Sequence, residues 1–81
     1  MNDFVIFLSK EFEMEKFEIT GDNIHLNQLL KLLHWCESGA DANAAIENGE
    51  VKVNGEVELQ KRNKIRRGMK VEFENQMVEI N

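Results

Sequence analysis

From residue 26 onward the apolar residues of this chain change their spacing once, and that change limits what it can fold into. In the stretch LNQLLKLLHW (residues 26–35), Leu26, Leu29, Leu30 and Leu33 fall at i, i+3, i+4 and i+7. That is one face of a helix. From Val51 onward the period is two. Val51 and Val53 alternate with Lys52, Val57 and Leu59 with Glu56 and Glu58, and two further pairs follow, Val71 with Phe73 and Val78 with Ile80. Helix spacing followed by strand spacing excludes an all-helical or all-strand domain.

Between the two patterns lies a second, shorter helix. Ser38 is a good N-cap, with Asp41 at N3 as a weak capping box. Ala42, Ala45 and Ile46 make a small-residue face able to approach the leucines closely. Asn48-Gly49 ends the helix through left-handed backbone. The first helix is expected to run to Trp35, leaving a connection of about two to three residues. Leu32 and Trp35 fall off the leucine stripe. Either the apolar run FVIFL, whose ends are Phe4 and Leu8, folds back over them, or they stay open to a base or a partner.

The strands raise a question of register. Asn54-Gly55 is a strong hairpin signal. A strict two-residue loop sets Val53 against Glu56, which puts the two apolar sets on opposite faces. A three-residue loop with a glycine bulge unites them and is the expectation here. A last hairpin turns at Glu74-Asn75-Gln76. Upstream, residues 12–19 read as a strand with an irregularity near Lys16, ended by a turn at TGDN. The whole reads as α+β, two short helices packed on a small, mostly antiparallel sheet. Residues 1–14 form an N-terminal extension and residues 15–81 a single domain.

Charge is unevenly placed. The net charge is −5, yet from Lys61 to Lys70 there are six cations and no acid. A local cationic patch attracts an anion while the acidic remainder repels unspecific polyanions. Catalytic constellations are not evident: there is no glycine-rich phosphate loop and no paired-cysteine motif. His25, His34 and Cys36 are the only soft ligands, too few for a zinc site at metal spacing, so no metal or cofactor is expected. Cys36 cannot form an internal disulfide and reads as a quiet, partly buried thiol in a reducing compartment. FVIFL is far too short to span a membrane or to serve as a signal-peptide core. The expectation is a cytoplasmic protein with no membrane or small-molecule partner and no enzymatic activity.

Three features could form an anion-binding surface: the cationic run, the N–H groups at the start of the second helix (Gly39, Ala40), and the isolated bases Lys31 and Lys52. Together, residues 26–73 resemble the alpha-L RNA-binding motif, the domain type named after small-subunit ribosomal protein S-four. The likeness rests on the leucine-rich helix, the serine-started helix, VKVNG at residues 51–55 and the glycine turn before a last strand. It is nearest to the small stand-alone bacterial members, through Leu29-Leu30-Lys31, Glu37-Ser38-Gly39, Val51-Lys52-Val53, Lys61-Arg62 and Lys64-Ile65. The resemblance implies an RNA-binding protein for structured or ribosomal RNA, associated with the ribosome. It implies contacts from Lys31, Ser38, Gly39, Asn43, Lys52, Lys61, Arg62, Lys64, Arg66 and Arg67. Many members carry bases on the second helix, where this chain has only Asp41 and Asn43, so the contact is expected to lean on the loop. The alternative is a protein-interaction module that kept the fold and lost the RNA, using Trp35 and the run from Phe4 to Leu8.

Overall fold

The structure is a computed structural model and describes residues 15–81. The expectations placed on FVIFL, Phe12 and Met14 lie outside those residues. The elements in chain order are β1 (Glu15–Phe17), β2 (Ile24–His25), α1 (Leu26–Leu32), α2 (Gly39–Glu47), β3 (Val51–Val53), β4 (Glu56–Val57), β5 (Lys64–Ile65), β6 (Lys70–Phe73) and β7 (Gln76–Ile80). A five-stranded sheet has the order β1-β7-β6-β3-β4, and β2 with β5 makes a separate two-stranded ribbon. All pairings are antiparallel except that of β1 with β7. No helix among the described residues is long and apolar enough to cross a membrane.

The core is the meeting of the two periodicities. Leu26, Leu29 and Leu30 of α1 and Ala42, Ala45 and Ile46 of α2 pack with Val51, Val53, Val71, Phe73, Val78 and Ile80 of the sheet. Fully burying a leucine or isoleucine side chain contributes about 1.5–3 kcal/mol, so these contacts dominate stability. The α+β expectation and the small-residue face of α2 both hold.

Helix α1 ends earlier than its leucines suggest. Leu33 is the C-cap and His34 takes φ 61°. The His34 N–H donates to Lys31 O at 3.0 Å and the Trp35 N–H to Leu30 O at 3.1 Å. That pair of bonds is a Schellman stop, which normally uses glycine at the left-handed position. Here a histidine occupies it, so no residue type announced the end. The connection to α2 is consequently six residues, 33–38, not two or three. Trp35 leaves the helix altogether and stacks on Phe73, ring centroids 6.4 Å apart at 27°. The end of α2 has the expected form: Gly49 sits at φ 78° and donates to Ile46 O, and Glu50 donates to Ala45 O.

The first hairpin takes the register that the apolar pattern disfavoured. Val53 pairs with Glu56 and Lys52 with Val57 across a two-residue turn, with Asn54 at φ 53° and Gly55 at φ 87°. Two consecutive positive φ values are what an Asn-Gly primed turn supplies. Local turn chemistry prevails over burial: Val57 and Leu59 remain 52% and 59% exposed. Because β4 is a two-residue edge strand, the sheet can leave Val57 on its outer face without opening the core.

Candidate functional site

The cationic run is fixed in place by main-chain bonds to α1. His25, the N-cap of α1, gives no side-chain cap. The orphan N–H groups of Leu26 and Asn27 instead donate to Asn63 O and Lys61 O, both at 2.9 Å. Glu58 shapes the loop from the other side, accepting from the Gln60 N–H at 3.0 Å and from Asn63 Nδ2 at 2.9 Å. β5 then pairs with β2, setting Ile65 opposite Ile24 and Lys64 opposite His25. Ile65 is fully buried, as a lone apolar anchor should be. A turn follows in which the Met69 N–H donates to Arg66 O, with Gly68 at φ 92°. The run is therefore a built loop with its own ribbon, which charge alone did not reveal.

The six cations divide into two groups. Two are paired and a third lies apart from the loop. Lys61 Nζ lies 2.9 Å from Glu47 on α2. Arg67 Nη2 donates to Ile19 O at 2.9 Å. Lys70 belongs to β6, beside Asn54, Glu72 and Met77. The others, Arg62, Lys64 and Arg66, are exposed and have no side-chain partner among the described residues. Together with Gln60, Asn63 and Met69 they line one open depression of about 570 Å³, with no carboxylate in its lining.

A second strip runs from this loop along the seam between the helices. On α2, Gly39, Asn43 and Glu47 follow one another at i, i+4 and i+8, a single flank about 12 Å long. Each meets a different partner. A Cβ added at Gly39 would lie 3.9 Å from Lys31 Cδ, so the lysine stem crosses the start of α2. Asn43 Oδ1 accepts from Asn27 Nδ2 at 3.0 Å. Glu47 holds Lys61. Lys31, Asn27 with Asn43, and Lys61 thus stand in a row that ends beside Arg62. Asn27 was not singled out from sequence, although its i, i+4 spacing to Lys31 was a usable signal.

Other expected members sit differently. Ser38 Oγ accepts from the Asp41 N–H at 3.2 Å, so its hydroxyl serves as the cap. The first turn of α2 carries the Asp41 carboxylate, which already occupies the positive end of the helix dipole. Lys52 does not converge with the loop. Val51 and Val53 point into the core, and Lys52 lies on the outer face of the sheet opposite Glu72 and Val57. Cys36 is buried. Burial first, and then the carboxylates of Asp41, Glu74 and Glu50, push its thiol up from the ordinary value, the opposite of a reactive cysteine.

Comparison with known proteins gives three likenesses. A family model described as S4 domain matches residues 17–81. The protein named "Putative RNA-binding protein YbcJ" of Escherichia coli (strain K12) is 48% identical over 58 residues, covering 72% of this chain and 83% of that protein. The solution structure of YbcJ from E. coli, described as revealing an alpha-L motif involved in RNA-binding, superposes with a TM-score of 0.64 at 43% identity. It covers 84% of this chain and 87% of that one.

Proposed function

As this chain belongs to the S4 domain family, we propose that it is a non-catalytic RNA-binding protein of the cytoplasm that recognises structured RNA, ribosomal RNA included. The observation that carries this reading is the depression lined by Arg62, Lys64 and Arg66. These three bases have no side-chain partner among the described residues, and no carboxylate lines the depression with them. Arginine forks match phosphate oxygens in pairs. The adjoining row of Lys31, Asn27 and Asn43 extends the contact along the helix seam, up to the Lys61–Glu47 pair, with amides that can meet ribose hydroxyls. RNA duplexes are read by shape, phosphate and 2′-hydroxyl, so binding is shape-selective with modest sequence preference. Asp41 and Glu37 make the start of α2 a poor phosphate site, and the loop carries the anion.

The test is titration of isotope-labelled protein with a structured ribosomal RNA hairpin at several salt concentrations. Amide shifts are expected at residues 60–66, Asn27, Lys31 and Asn43. With about four to five phosphates engaged, log affinity falls with log salt at a slope of roughly −3 to −4. A flat salt response, or shifts confined to the outer face of the sheet, would overturn the proposal.

A further inference from the structure

The flank of α2 turned away from the basic row is built in the opposite sense. Asp41, Ala44 and Asn48 follow one another down it, and with Trp35, Cys36, Glu37, Glu50 and Phe73 they line an open depression of about 480 Å³. At 100° per residue these positions centre about 130° round the helix from Gly39, Asn43 and Glu47. Three of the lining residues are carboxylates and none is a base. Glu74, the neighbour of Phe73, lies near enough for its charge to act on Cys36. The floor is aromatic: Trp35 is half-buried and stacked on Phe73. None of this is used by the RNA site, and packing alone does not call for carboxylates around an aromatic pair.

We propose that this depression docks an arginine-bearing segment of a protein partner, with Trp35 receiving the guanidinium and Glu37, Asp41 and Glu50 pairing with the flanking cations. Guanidinium groups stack on tryptophan faces and pair with carboxylates at once, and an aromatic floor with an acidic rim offers both. Charge complementarity favours a cationic occupant over an acidic or purely apolar one. A second copy of this chain is disfavoured, since each copy carries a net charge of −5. The connection of residues 33–38 supplies Trp35 and Glu37, so the early stop of α1 at His34 is what brings the ring and the rim together.

The chain contains one tryptophan, which makes the site its own reporter. The experiment titrates the full chain with a short peptide of alternating arginine and glycine, and in parallel with an acidic peptide of equal length, following Trp35 fluorescence. A saturable change with the arginine peptide alone is expected. In the triple variant Glu37→Gln, Asp41→Asn, Glu50→Gln, affinity falls roughly tenfold at low salt, as the loss of about three exposed ion pairs requires. The three side chains are exposed, and an unchanged far-ultraviolet circular dichroism spectrum confirms that the variant is folded. No saturable change, equal response to both peptides, or undiminished binding by the triple variant overturns the proposal. So does sedimentation showing that the unmixed protein self-associates through Trp35. In the RNA titration the triple variant is expected to bind no more weakly than the parent and to keep its shifts at residues 60–66, which separates the two flanks.

Discussion

Asn27 holds two parts of the molecule at once: its side-chain amide donates to Asn43 Oδ1 at 3.0 Å, and its backbone N–H donates to Lys61 O at 2.9 Å. The first bond ties α1 to α2; the second ties α1 to the basic loop. Asn27→Ala removes the first and leaves a partly buried acceptor on Asn43. Stability is expected to fall by about 1 kcal/mol, read as a lower urea midpoint with an unchanged denaturant slope. RNA affinity should fall as well, because Asn43 loses the bond that holds it in the row beside the basic loop.

Neighbouring arginines are expected to behave unlike each other. Arg66 lines the basic depression, whereas Arg67 donates to Ile19 O. Arg66→Gln therefore weakens RNA binding and makes the salt slope shallower by just under one unit, with thermal stability unchanged. Arg67→Gln leaves Ile19 O, beside a buried isoleucine, without its charged donor and costs roughly 1–2 kcal/mol. Reversing both charges together would mix the two effects, so the single variants are the informative pair.

His34 stands at φ 61°, a conformation that costs a side-chain-bearing residue about 1–2 kcal/mol. Glycine relieves that strain and gives back part of the gain in chain entropy. His34→Gly is expected to raise stability by about 1 kcal/mol, measured by chemical denaturation, with the Trp35 emission unaltered. A destabilised variant would show that the histidine side chain makes a contact worth more than the strain.

The thiol of Cys36 is pushed up by burial and by three carboxylates. The folded chain therefore keeps its proton to higher pH than the unfolded chain does. Stability is then fully present below the ordinary thiol range and declines as pH rises through it, since the unfolded state releases the proton first. Alkylation by iodoacetamide at mildly alkaline pH is expected to be much slower in buffer than in urea. Cys36→Ala should flatten the alkaline limb of the stability profile.

How much of this could be read from residue order depends on whether a local signal existed. Ser38 and Gly49 each act where residue type and position specify a cap, and α2 was legible nearly to its ends. At His34 the same kind of stop is made by a residue with no glycine's freedom, so α1 was drawn too long. The hairpin at Asn54-Gly55 carried two signals in conflict, and the turn preference proved stronger than the preference for uniting valines, because an edge strand tolerates exposure. Of the candidate site, the cationic loop was visible as charge. Its internal division was not: whether an arginine faces solvent or Ile19 O depends on a fold-back across 48 positions. Lys52 stood out as an isolated base, and that isolation said nothing of which sheet face it occupies.

The pairing of β1 with β7 sets an order of events. Glu15 lies opposite Val78 and Phe17 opposite Ile80 in parallel register, and the Asn81 N–H closes on Phe17 O. β1 is made before the helices and the loop, and its strand neighbour among the described residues, β7, is made after them. The helices and the loop can begin to organise during synthesis, but the sheet edge must wait for residues 78–81 to emerge. Ile80 and Val78, both fully buried, arrive late as well. Sequence-distant pairing of this kind slows closure, so the sheet edge closes only after the helices and the loop between its two strands have been made.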